Sequence, residues 1–243
     1  MTNHSGTWPH GGLQTAFPDV FFVVGTNKTH HAGVDLQTSR TMTVVRHGGE
    51  LTLLNTVRLG AEGLRELDAL GRVRHIVRLG AFHGRDDGFY RHHYDATLWA
   101  LSQAVGSEEP PVDRTLAAGG PLPVEGEVFV FTSARFPEAA VLLPRDGGIL
   151  ITCDAVQNWT HVDPFFSEQT GALFLARGLI GAANIPSTWL EACTPDPGDF
   201  RRLLGLPFRH LMTGHGEPLR EDAKTLLSAR IDEVFPGRDS KPA

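Results

Sequence analysis

Residues 75–90 read HIVRLGAFHGRDDGFY, and the way this stretch changes character decides the fold. It opens as a β-rich run, His75 to Leu79, in the pattern of a buried strand. The run breaks at Gly80, and three side chains with ligand or proton-transfer chemistry follow at once: His83, Asp86 and Asp87. Two later stretches repeat the arrangement. In GILITCDAVQNW, residues 148–159, Asp154 follows the run Ile149 to Cys153. In RHLMTGHGEPL, residues 209–219, His215 follows the run His210 to Thr213 and sits between Gly214 and Gly216. Residues at strand ends converge on one edge of a sheet, where sites are usually built. The flanking glycines allow close backbone approach or unusual dihedrals around His215. Two imidazoles and two or three carboxylates are a donor set suited to Zn²⁺, Fe²⁺ or Mn²⁺.

Working outward, Val20 to Val24, Met42 to Arg46 and Leu51 to Leu54 read as strands. His47-Gly48-Gly49-Glu50 joins the last two as a hairpin. Glu62 to Leu70 changes period, with Leu64, Leu67 and Leu70 every three residues and Gly71 as the stop. Strand, helix and strand in that order make a βαβ-like passage. Thr97 to Leu101 is a further strand, and Gly106 to Pro123 a Pro/Gly-rich loop. Strands follow at Val128 to Thr132, Ala139 to Leu143 and Ile149 to Cys153, the last pair turning through Arg145-Asp146-Gly147-Gly148. Helices are expected at Ala172 to Ile180, Asp199 to Leu204 and Glu221 to Val234. Residues 1–18 read as an N-terminal arm and 237–243 as a tail. No polar linker interrupts the chain, so one domain over residues 1–243 is expected. The strands fall in two groups, each followed by helices, which suggests two packed sheets with helices outside.

The composition narrows the function. The chain has 243 residues, 41% of them hydrophobic and 21% charged, like an ordinary globular protein. Its net charge of −6 argues against a nucleic-acid binder, which needs a cationic footprint. The two cysteines, Cys153 and Cys193, make no disulfide framework. There is neither a signal-peptide pattern nor an apolar run long enough to span a membrane, so a cytoplasmic location is expected. Twelve histidines are many, but position selects among them. His83 and His215 follow strands, and His161 follows the Asp154 loop. His30-His31 and His92-His93 read as solvated. Cys153, adjacent to Asp154 in a strand, should face away from it into the core.

With those residues in view, the order of elements from about Met42 to Val234 resembles the metallo-β-lactamase superfamily. ILITCDAVQN is similar to that family's bridging-aspartate strand, and LMTGHGEP to its final histidine strand. The resemblance implies an α/β fold, a four-layer αββα sandwich with a metal site at one edge. It also implies hydrolysis of an ester, thioester, lactone, lactam or phosphodiester by a metal-activated water. The family signature His-x-His-x-Asp-His aligns with Ala81-Phe82-His83-Gly84-Arg85-Asp86, where only the second histidine is kept. Arg135, in Arg135-Phe136-Pro137-Glu138, stands where the family's middle histidine belongs. A regular two-metal site is therefore not expected.

These residues give a definite set of expectations. His83, Asp154 and His215, with Asp86 on chemical grounds, would hold one divalent cation: zinc, with iron or manganese as alternatives. Asp86 or Asp87 would act as general base and Arg135 would stabilise an oxyanion. Asp86 and Asp154 beside Arg85 and Arg135 would be neutral without metal if all four point inward, leaving one metal or none. The function expected is a metallo-β-lactamase-like hydrolase of a small-molecule substrate. The alternative is a non-catalytic binding or regulatory protein that keeps the fold without metal. Neither nucleic acid nor membrane is an expected partner. Phe165, Phe166 and the apolar helix at 172–180 offer a surface for a homo-oligomer.

Overall fold

The computed structural model describes residues 6–31, 33–101 and 111–236. The first five residues of the expected arm, residues 106–110 of the expected loop and the tail 237–243 lie outside them.

A seven-stranded sheet carries the first half of the chain. Its strands are β1 (Gln14–Phe17), β2 (Val20–His31), β3 (Val34–His47), β4 (Glu50–Leu54), β5 (Arg72–Arg78), β6 (Thr97–Ala100) and β7 (Arg114–Thr115), ordered as in the sequence. The first four are antiparallel neighbours. The β3–β4 hairpin turns on Gly48 and Gly49, whose φ of 57° and 83° suits a two-residue primed turn. Helix α1 (Ala61–Leu70) then crosses over, so β5 pairs parallel with β4, and α2 (Asp87–Tyr94) crosses over in turn to β6. A four-stranded sheet follows: β8 (Glu127–Val130), β9 (Ala139–Leu143), β10 (Ile149–Ile151) and β11 (His210–Met212). Before β11 come α3 (Glu168–Ala176), α4 (Ser187–Cys193) and α5 (Pro197–Leu204); α6 (Ala223–Val234) follows it.

Side-chain alternation sorts these elements into layers, because successive residues of a strand point to opposite faces. Phe22 and Val24 of β2 meet Val141 and Leu143 of β9 and Ile149 and Ile151 of β10 in the core between the sheets. Phe21 and Val23 face the other way, in a core shared with Leu67 of α1 and with Phe89 and Tyr90 of α2. Ala140, Leu142 and Leu150 likewise pack beneath Trp189, Phe200 and Leu227 of α4, α5 and α6. The expected αββα sandwich is the architecture found.

Several boundaries differ from the sequence reading. Part of the arm is strand β1. The β2–β3 hairpin extends to His31 and Val34, well past the apolar runs, through an outer end where Lys28, Thr29, His30 and Asp35 are exposed. Helix α3 starts earlier than expected because the Ser167 hydroxyl accepts from the Thr170 N–H, an N-cap. It ends earlier because Gly178 adopts a φ of 64°. Helix α4, opened by Pro186, carries no strong periodic signal and was not expected.

Candidate metal centre

Three strand ends build the site. Strands β10 and β11 are parallel, with Ile151 opposite Met212. Asp154 and His215 each lie three residues beyond that last pair, so register alone brings them to the same edge. His83 comes from the loop after β5, where Gly80 bridges Glu138 and the His83 N–H donates to the Gly80 carbonyl. His83, Asp154 and His215 are all buried. His83 Nε2 lies 3.0 Å from His215 Nε2 and 3.3 Å from Asp154 Oδ1, and His215 Nε2 lies 3.0 Å from that same oxygen. Donors about 2.0–2.1 Å from a tetrahedral zinc lie about 3.3 Å apart, so this triangle is close to the size that one ion requires.

Each ligand is held from behind. The His215 Nδ1 faces the Ser39 carbonyl of β3 at 3.0 Å, so Nδ1 carries the ring proton and Nε2 presents its lone pair to the centre. Trp159 packs on the same ring with centroids 4.5 Å apart, and its Nε1–H donates to the Ser39 hydroxyl. The Asp154 and Ala155 N–H groups both donate to Glu138 Oε1 at 2.8 Å, which fixes the turn carrying Asp154. Burial drives the Glu138 carboxyl well above its ordinary range, helped by the nearby charge of Asp154. Burial pushes Asp154 up as well, but the combined imidazoles of His83 and His215 outweigh it and keep Asp154 ionised.

Gly216 lets the His215 turn close. Its φ is 92°, and a Cβ there would stand 2.1 Å from the Asn158 carbonyl oxygen. Gly216→Ala combines left-handed strain, of order 1–3 kcal/mol, with a backbone clash. We expect a loss of about 2–4 kcal/mol in urea melts, and retention of wild-type stability would contradict this geometry.

Asp86, Asp87, Arg135, Arg85 and His161 are not part of the triangle. Asp86 is buried but turns to Arg40, with Oδ2 3.5 Å from Nη1, and accepts the Arg58 N–H at 3.1 Å. It precedes α2, yet its side chain caps no helical N–H. Asp87 accepts the Thr56 hydroxyl at 2.6 Å and pairs with Arg78 at 3.2 Å, with side-chain exposures of 1% and 4%. A carboxylate so enclosed has no route to a substrate proton. Arg135 is exposed and lies over the Phe136 ring, its N–H bound to the Cys193 carbonyl. Arg85 is exposed too, donating to the Lys28 carbonyl, so neither expected arginine neutralises the centre. His161 is exposed and contacts Thr160. Cys153 is in the core between the sheets as expected, but its thiol also reaches Asp154 Oδ2 at 3.8 Å.

The guanidinium that does enter is Arg40, in the middle of β3 with 7% side-chain exposure. Its Nη2 lies 3.3 Å from His83 Nδ1. The sequence reading missed it. The available signal was a lone arginine where the polar half of the β3 segment gives way to its buried run.

In the metal-free protein, burial pushes the His83 pKa down to about 4, reinforced by Arg40 and opposed by Asp154. The unfolded chain therefore takes up this proton first, so the His83 contribution is complete above about 6.5 and is lost as pH falls towards 4. Asp87 runs the other way: burial raises it to about 6, so its contribution is complete below about 4 and is lost as pH rises to 6. The two oppose each other across pH 4–6. In metal-free Asp87→Asn, stability should rise more steeply with pH over that window than in the wild type. Equal slopes in thermal melts at pH 4.5 and 6 would contradict this.

No family model matches this sequence, nor does any curated protein. The fold does match solved metallo-β-lactamases. One from Erythrobacter litoralis aligns with a TM-score of 0.63 at 14% identity, covering 91% of this chain and 96% of its own. One from Pontibacter korlensis gives 0.58 at 12% identity, covering 90% and 98%. FIM-1 from Pseudomonas aeruginosa, solved in its mono-zinc form, gives 0.59 at 11% identity, covering 97% and 100%. The likeness establishes a metallo-β-lactamase fold.

Proposed function

We propose that this chain is a metal-dependent hydrolase with a single-metal centre formed by His83, Asp154 and His215. The observation that carries this reading is the convergence of three buried donor atoms within 3.3 Å of one another. A group of two neutral imidazoles and one carboxylate is a common three-ligand set for catalytic zinc, with iron or manganese as alternatives. Asp86 and Asp87, which the sequence offered to the centre, are already matched by guanidiniums: Asp86 by Arg40 and Asp87 by Arg78.

When bound, a divalent ion would lower the pKa of a water and polarise a carbonyl or phosphoryl oxygen. The chain's own groups do the rest. Ser39 fixes the His215 tautomer and Glu138 fixes the Asp154 turn. Asp86 and Asp87 are held in ion pairs with Arg40 and Arg78, which argues against either as a general base. The substrate would be an ester, thioester, lactone or phosphodiester. The test is turnover of these four classes by zinc-, iron- and manganese-loaded protein, with chelated protein as control. Metal-dependent turnover of any class supports the reading, and none across the panel contradicts it. A second reading, a metal-free binding protein on this fold, draws on the Arg40 guanidinium beside His83; it expects no metal uptake and no hydrolysis.

A further inference from the structure

Arg40 faces His83 in a manner at odds with simple metal ligation. A metal-binding histidine uses its second ring nitrogen as a donor, to a carboxylate, a carbonyl or water. His215 obeys this, with Nδ1 on the Ser39 carbonyl. His83 does the opposite. Its Nδ1 looks at Arg40 Nη2, 3.3 Å away. Arginine can only donate, so His83 Nδ1 must accept. A neutral ring that accepts at Nδ1 carries its proton on Nε2, the atom turned to Asp154 Oδ1 and His215 Nε2. That proton occupies the direction a metal would need.

The arginine is not free to leave. It is 7% exposed, and its other terminal nitrogen lies 3.5 Å from Asp86, itself anchored by the Arg58 N–H. Asp86 thus acts on the centre at one remove: it holds Arg40, and Arg40 sets the His83 tautomer. We infer that Arg40 is a built-in cation that takes over part of the metal's charge and, by donating to His83 Nδ1, holds down the affinity of the centre for a divalent ion. Arg40 is a positioning residue in this scheme, since it touches a ligand and not the reacting atoms. The inference rests on the single-metal reading.

The sign of the effect separates this from a structural role. If Arg40 only braced the His83 loop, replacing it would loosen the ligand and weaken zinc binding. If it opposes the metal, removing it strengthens binding. Arg40→Gln alone would deprive buried Asp86 of this guanidinium, so the main variant is Arg40→Gln with Asp86→Asn, which removes both charges together. Zinc affinity is read by competition with a chromophoric chelator. The double variant should bind zinc about 10–100-fold more tightly than wild type, the range that outer-shell groups command. Arg40→Lys, which keeps a donor-only cation, should stay close to wild type. Equal or weaker binding by the double variant, with zinc still bound by wild type, overturns the role of Arg40 and leaves the single-metal reading standing. Absence of zinc binding in every protein overturns both. A zinc-free readout stands whether or not the double variant folds. Long-range ¹⁵N–¹H spectra of metal-free wild type should show His83 protonated at Nε2, and protonation at Nδ1 would refute the inference.

Discussion

His215→Ala is expected to abolish zinc binding and turnover together. His215 supplies one of three donors, and its Nε2 lies 3.0 Å from both of the other two. Removing it leaves two of the triangle's three donors, His83 and Asp154, fewer than the three protein ligands of a catalytic zinc. The expected fall in zinc affinity exceeds about 100-fold, beyond what an outer-shell change produces. The variant should remain folded, because the turn is also held by backbone groups: the Thr41 N–H donates to the Gly214 carbonyl and the Asn158 N–H to the His215 carbonyl. Circular dichroism alongside chelator competition checks both points. A folded His215→Ala protein that keeps full activity would refute the ligand assignment.

The largest effect on stability is expected away from the centre. Asp87→Ala removes the carboxylate that faces Arg78 and the Thr56 hydroxyl in the packing between α2 and β5. Arg78 then keeps its charge at 4% exposure without this counter-ion. Breaking a buried pair from one side costs about 3–5 kcal/mol. In a domain of this size that is a fall of about 10 °C in Tm. Arg78→Met with Asp87→Leu removes both charges and should recover much of the loss, because a buried pair is replaceable by apolar side chains of similar volume. An Asp87→Ala protein as stable as wild type in urea would contradict the account of this pair. Zinc affinity should be nearly unchanged in the double variant, since neither residue belongs to the triangle.

The layers of this fold were legible because burial leaves a periodic trace. Unbroken apolar runs such as VFFVV and ILI mark strands covered on both faces, and the βαβ passage after Leu54 could be read from a single change of period. The exposed half of the β2–β3 hairpin left no such trace. Its outer end sets exposed Lys28, Thr29 and His30 against Asp35 to Gln37, so apolar runs stopped short of it. His83, Asp154 and His215 were legible for a different reason: each follows a strand, and strand ends meet.

What could not be read locally was the choice among charged neighbours. Asp86 and Asp87 are adjacent in sequence and both looked free to serve the centre, yet Asp86 is claimed by Arg40, brought across by sheet pairing, and Asp87 by Arg78 at the end of β5. Arg40 lies 43 residues before His83, and only the β3–β4–β5 order makes them neighbours. Arg78 ends β5 directly after buried Ile76 and Val77, a place where an arginine signals a buried partner without naming it. The arginines expected beside the centre, Arg85 and Arg135, lie on the surface, and the guanidinium beside His83 is that of Arg40.

The most direct test of the single-metal centre is zinc stoichiometry, read by elemental analysis of dialysed protein together with anomalous scattering from its crystals. The account predicts one zinc per chain after loading, bound by His83 Nε2, Asp154 Oδ1 and His215 Nε2. Two zincs per chain, or one bound away from these three atoms, would contradict it.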